Sequence, residues 1–169
     1  RGAGLTSSSA NDIYNATGWT TTNTVASAIS SNDYFEFTLT PASGYWINFT
    51  GFTYTGQVST GTPSHALRSS LDGYASNIGT ATTTGTSISL SASTFQNVYQ
   101  PVAFRFYTFG VANGTTTQYS IKDFAFSGAV VQIPNALWAN QITGTAITAS
   151  PYTTGNYNAA NVTVSGITR

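Results

Sequence analysis

Tyr34-Phe-Glu-Phe-Thr-Leu-Thr40 alternates strictly, with Phe35, Phe37 and Leu39 on one side and Glu36 and Thr38 on the other. That two-residue period predicts a half-buried β-strand, which Pro41-Ala-Ser-Gly44 then turns. Tyr45 to Thr55 predicts a longer strand carrying Ile47 and Phe49 on one face. Gly51 within it marks a bulge that re-phases Phe52 and Tyr54. His65 to Leu71, closed by Asp72-Gly73, predicts a shorter strand, and Thr86 to Ser91 one with Ile88 and Leu90 inward. Pro101 to Phe109 is apolar on both faces, broken only by Arg105, as a central strand would be. Asn113-Gly114 predicts a hairpin from that strand to Gln118–Val131, with a bulge at Lys122-Asp123. No stretch shows a helical period of useful length. The expected fold is all-β: a two-sheet antiparallel β-sandwich, jelly-roll-like.

A boundary is expected near Gln132-Ile-Pro134, giving a sandwich core over 1–131 and a C-terminal extension over 132–169. The extension is polar and turn-rich, with candidate strands at Leu137–Asn140, Thr145–Ala149 and Asn161–Thr168. In the last of these Val162 and Val164 alternate with Thr163 and Ser165. Placed before Arg1-Gly-Ala-Gly-Leu5, the closing segment through Arg169 would read as one continuous strand and turn. Head-to-tail assembly, or excision from a tandem array, is the expectation this raises.

Composition narrows the function classes. Only 6% of the 169 residues are charged, five basic against five acidic. Such a chain has no field to attract nucleic acid or anionic lipid. Solubility rests on 30 Thr, 20 Ser and 13 Asn, which suits an extracellular or cell-surface protein. With neither Cys nor Met present, disulfides and thiolate metal sites are excluded. No apolar run is long enough for a membrane-spanning helix, so direct membrane insertion is not expected.

Catalytic constellations are weak. The only histidine, His65 in Ser64-His-Ala-Leu67, lacks a Gly-x-Ser-x-Gly elbow and reads as a surface or turn residue. Paired carboxylates would have to come from Asp12, Asp33, Glu36, Asp72 and Asp123, and Asp33 and Glu36 fall on opposite faces of their strand. Arg68 and Arg105 are expected to find partners in Glu36 or Asp123. No enzyme activity and no cofactor is expected; a structural calcium held by one or two Asp with carbonyl oxygens is the one metal the fold class admits.

Four motifs occur in order: Phe35-Glu-Phe-Thr-Leu-Thr-Pro41, Leu67-Arg-Ser-Ser-Leu-Asp-Gly-Tyr74, Val102-Ala-Phe-Arg-Phe-Tyr107 and Ile121-Lys-Asp-Phe-Ala-Phe-Ser-Gly128. Together they resemble the jelly-roll modules of bacterial secreted and surface-anchored proteins. The resemblance covers roughly residues 1 to 131 and implies a framework rather than a catalytic site. In such modules a Trp-led strand and a Val-Thr-Val segment precede the Gly-Ala-Gly-Leu-like turn. Here their equivalents, Leu137-Trp138 and Val162-Thr-Val164, stand at the C-terminus. The resemblance therefore implies either a circular permutation, with the tail in its own sheet, or donation of the tail to a neighbouring copy.

The expected function is a structural subunit of an extracellular filament or surface adhesin, a head-to-tail homopolymer of copies of itself. Trp138, Ile142, Ile147, Tyr157, Val162, Val164 and Ile167 would form the donor segment. Burying Val162, Val164 and Ile167 contributes roughly 1.5–3 kcal/mol each. Ordering about eight backbone residues costs roughly 1–2 kcal/mol apiece, so the single strand is near balance and the other four are needed. The alternative is a carbohydrate-binding module for surface glycans, with Trp19, Trp46 and Tyr99 as stacking residues. Sequons at Asn15, Asn48, Asn113 and Asn161 permit glycosylation on a secretory route.

Overall fold

The computed structural model describes residues 1–8 and 13–133, and beyond them the backbone of Ile147–Thr148 and Thr163–Val164. The chain divides into two compact units, Arg1–Val130 and Val131–Arg169. The first is an all-β sandwich of two antiparallel sheets. Its strands are β1 (Thr6–Ser7), β2 (Tyr14–Thr17), β3 (Tyr34–Leu39), β4 (Tyr45–Val58), β5 (Ser64–Ser69), β6 (Ser87–Ser89), β7 (Val102–Phe109) and β8 (Tyr119–Gln132). One sheet has the order β1-β2-β8-β4-β6, the other β3-β7-β5. The second unit contains an antiparallel pair, β9 (Ile147–Thr148) and β10 (Thr163–Val164), with Ile147 opposite Val164. Trp138, Ile142, Tyr157, Val162 and Ile167 lie outside the described residues, as do Asp12 and Asn161.

The alternation read from the sequence builds the core. Phe35 and Phe37 of β3 face Phe49, Phe52 and Tyr54 of β4 across a layer completed by Phe104 and Phe106 of β7 and Tyr119 and Ile121 of β8. The rings meet mainly edge-on or tilted, the geometry their quadrupoles favour: Phe49–Phe104 at 5.5 Å and 76°, Tyr54–Phe106 at 4.9 Å and 68°. In β4 Phe49 is buried, then Gly51 and Phe52 in succession, then Tyr54, so the inward phase shifts at Gly51 as expected. A second shift falls in β8 at Asp123, whose left-handed φ of 49° moves the inward set from Tyr119 and Ile121 to Phe124 and Phe126.

Two expectations are overturned. Asn113-Gly114 does not close a hairpin, because β7 and β8 belong to different sheets. Both flanks of β7 are already paired, with β3 and β5, so the chain must cross to the other layer. Asn113 instead folds the crossing, its Oδ1 accepting from the Thr115 N–H at 3.0 Å and the Thr116 N–H at 3.2 Å. A helix is also present, α1 (Val25–Ser31). Thr24 caps its start by accepting from the Ser27 N–H, and Asn32 ends it in the left-handed conformation at φ 58°. Seven residues are too few for a helical period to stand out. Ala28 is nevertheless buried on the outer side of the short sheet, against Ala66, Tyr107 and Phe109.

Candidate functional site

The longest unpaired strand edge among the described residues belongs to β8. Its ladder with β2 covers only Tyr14↔Ile121, Asn15↔Ser120 and Ala16↔Tyr119. Beyond Ile121, β8 continues to Gln132 with β4 on one side, where Thr50 Oγ1 donates to Ser127 Oγ at 3.1 Å. No described strand lies on its other side from Lys122 onward. Inward aromatics are incompletely covered along this edge. Phe124 packs on Phe37 at 4.6 Å and on Tyr14 at 5.7 Å, yet Phe124 remains 37% exposed and Tyr14 49%. Val130, further along the same strand, is 66% exposed. Unpaired N–H and C=O groups beside uncovered apolar side chains can accept a further strand.

The proposed stacking residues separate. Trp19 is 1% exposed, edge-on to Phe35 at 5.1 Å, and its Nε1 donates to the Ala16 carbonyl at 2.8 Å. It is core and offers no platform to a ligand. The isolated bridge Ile47↔Val98 sets Trp46 opposite Tyr99. Ile47 and Val98 face the core, so their neighbours turn outward; Tyr99 is 59% exposed and Trp46 half-buried. At the sequons, Asn15 Oδ1 accepts from Ser120 Oγ at 2.9 Å and Asn48 Oδ1 from the Asn97 N–H at 2.6 Å.

Charge collects on the outer side of the short sheet. Arg105 Nε donates to Glu36 Oε2 at 2.7 Å, and its guanidinium lies 4.2 Å from the Tyr34 ring centre and 4.0 Å from that of Tyr74. Register puts Arg68 directly opposite Arg105. Arg68 finds no carboxylate there; it donates to Asn77 Oδ1 at 2.7 Å and to the Tyr74 and Ala75 carbonyls. Asp72 accepts from the N–H groups of Ala75 and Ser76, and Asp123 lies 3.8 Å from Lys122 Nζ. The Leu67–Tyr74 motif is thus a loop clamped to the sheet by Arg68. Sequence spacing alone could not show that carbonyls would replace Glu36 as its partners.

Two further titratable groups are withdrawn from water, His65 partly buried and Asp33 fully buried. His65 is not a surface or turn residue: its Nδ1 is 3.0 Å from Thr108 Oγ1, its Nε2 3.1 Å from Thr83 Oγ1, and its ring packs on Tyr119 at 4.5 Å. Burial lowers its pKa to about 4. No Asp or Ser completes a triad with these contacts. Asp33 is 1% exposed, and neither carboxylate oxygen meets a donor in hydrogen-bonding geometry. Burial raises its pKa by more than the nearby Thr20 backbone lowers it. Gly4 packs directly on Asp33 Oδ1 and the Ser31 carbonyl, an approach that any Cβ would block.

Asp33→Asn is therefore expected to stabilise the protein at pH 7 by about 1–3 kcal/mol, the cost of an uncompensated buried group. With a folded pKa raised above the ordinary 3.8, the carboxyl contributes stability fully only below that value and loses it as pH rises. The advantage of Asn should grow through that window and vanish in acid. Urea melts of both proteins at pH 3 and pH 7 check this; a destabilised variant at pH 7 would refute it.

Among the described residues no three His, Asp or Glu gather as metal ligands, and no helix is long and apolar enough to cross a membrane. Comparison with protein-family models, curated proteins and solved structures returned no match to this chain. Its class is set by the fold alone, an antiparallel two-sheet β-sandwich.

Proposed function

We propose that this protein is a structural module of an extracellular filament or surface adhesin, in which residues 132–169 of one copy pair with the sandwich of the next. The observation that carries the reading is the edge of β8 beyond Ile121, unpaired among the described residues, beside the partly exposed Tyr14 and Phe124. Adding a strand there would complete the sheet's hydrogen bonds and cover those rings. The β9–β10 pair lends support from the donor side. A two-stranded ladder is marginal in water without a third strand or a packed face. The alternating Val162 and Val164 give the donor one apolar face, and the nearly uncharged, cysteine-free composition suits assembly outside the cell.

Light scattering and negative-stain microscopy test the reading on three proteins: the full chain, a chain ending at Gln132, and full-length Phe124→Glu. The full chain is expected to form particles larger than a monomer. The truncation should lose them because it lacks the donor, and Phe124→Glu because a charge then sits in the acceptor edge. Each altered protein should keep the strand signature in circular dichroism. A monomeric full chain, or a truncated chain that still assembles, would sink the proposal.

A further inference from the structure

We propose that Asp33 and the Ser31 carbonyl hold a monovalent metal cation, sodium or potassium, where α1 ends and β3 begins. Asp33 is 1% exposed, and among the described residues neither of its carboxylate oxygens meets a hydrogen-bond donor. The Thr20 backbone lies nearby without completing a bond. No basic side chain answers the charge: the described ion pairs are Arg105 with Glu36 and Lys122 with Asp123. A carboxylate buried with neither donor nor counter-charge is strongly unfavourable, so its surroundings point to a positive partner.

A second oxygen stands beside it. Asp33 Oδ1 and the Ser31 carbonyl oxygen crowd the same point, the position that a Cβ on Gly4 would take. The chain path brings them together. Ser31 closes α1, Asn32 turns in the left-handed conformation at φ 58°, and Asp33 follows, its N–H donating back to the Ala28 carbonyl at 2.9 Å. Gly4 offers these oxygens only its Cα, a weak donor, because its N–H goes to the Asn32 carbonyl at 3.3 Å. Two neighbouring acceptors repel unless a positive charge stands against both. A hard cation does so, taking carboxylate and carbonyl oxygens together as ligands. Ser31 and Asn32 are exposed, which gives an ion a short path from solvent to Asp33.

The single carboxylate selects the charge of the ion. Burial and the Thr20 backbone are the causes that act on the Asp33 carboxyl, and among the described residues no second charged side chain joins them. A monovalent ion leaves the buried pair neutral, whereas calcium would leave one positive charge uncompensated beneath the surface. Gly4 and Thr20 flank the base of the β1–β2 hairpin, where Thr6 pairs with Thr17. Binding there would tie the N-terminal segment to the end of α1 and the start of β3. The inference is independent of the assembly reading, which concerns the edge of β8.

Thermal melts of the full chain test it, at matched ionic strength in sodium, potassium or choline chloride, and in choline with calcium added. Choline reproduces the screening but is too large to be held by these oxygens. Wild type is compared with Asp33→Asn and, as a control at an exposed carboxylate, Asp123→Asn. Sodium or potassium is expected to raise the wild-type melting temperature by roughly 2–4 °C or more over choline, and to slow amide exchange at Gly4 and Leu5. Asp33→Asn should lose both effects and Asp123→Asn should keep them. In choline Asp33→Asn should be the more stable protein, so that a lost response is not a lost fold. Equal melts in every salt would overturn the proposal. So would a response that survives Asp33→Asn, one that Asp123→Asn also abolishes, or a calcium response larger than that to both monovalent ions.

Discussion

Trp19→Ala is expected to cost about 3–5 kcal/mol of folding stability, the range for emptying a large buried aromatic site. The indole is fully enclosed, edge-on to Phe35 at 5.1 Å and to Tyr119 at 6.1 Å, and so bridges the two sheets. Truncation would leave a cavity between rings that are themselves packed and cannot easily collapse into it. It would also remove the hydrogen bond that the Ala16 carbonyl accepts from Nε1. A single domain holds only about 5–15 kcal/mol in total, so a large part of the folded population is at stake. Guanidinium melts followed by fluorescence and circular dichroism measure the loss. A change under about 1 kcal/mol would mean that Trp19 is not the core residue described. Tyr99→Ala, at an outward position, serves as the near-neutral comparison.

Acidification should destabilise the sandwich through His65. Its folded pKa of about 4 lies below the ordinary 6.5, so between those values the unfolded chain binds the proton that the folded one refuses. The stability contributed by neutral His65 is thus complete above pH 6.5 and is lost as pH falls toward 4. At 1.36 kcal/mol per tenfold change in proton affinity, the full loss is roughly 3 kcal/mol. The hydrogen bonds are not the reason. Both partners are hydroxyls, and each could accept from a protonated ring. The penalty is burial of charge against Tyr119 and Phe106. As the only histidine in the chain, its ring protons can be followed by NMR without ambiguity. His65→Gln should flatten the acid limb of stability between pH 6.5 and 4. Because burial raises the Asp33 pKa, its contribution changes in the opposite direction as pH falls, so the comparison is cleanest in an Asp33→Asn background. An ordinary titration midpoint near 6.5 would remove the effect.

The strand inventory was legible because it is local. Phe35 and Phe37 alternate with Glu36 and Thr38, and Ile88 and Leu90 with Ser87 and Ser89, so each segment declares its own inward face. The phase shift at Gly51 was legible for the same reason. Arg105, alone among apolar neighbours, marked a central strand that needed a counter-charge, and Glu36 supplies it across the ladder. The helix α1 escaped because its buried face amounts to Ala28 alone. Trp19 and Tyr99 look alike in sequence, since both are aromatic residues in polar, turn-rich surroundings. They differ in the structure because Trp19 falls between the sheets while Tyr99 stands outward, across from Trp46.

By itself, then, the sequence determined the β class, most of the strands, their inward faces and the absence of sulfur chemistry, because side-chain alternation and composition act within a few residues. Only the tertiary structure decided that Asn113 turns a crossing between sheets, that His65 stands between two threonine hydroxyls, and that Asn15, Gln57 and Gln118 share one groove. It also decided that β8 outruns its described pairing with β2 and leaves an edge unpaired among the described residues. Each of these depends on which distant strand takes which flank. That choice is made by the packing of the whole core, where residues 105 positions apart, such as Asn15 and Ser120, become neighbours.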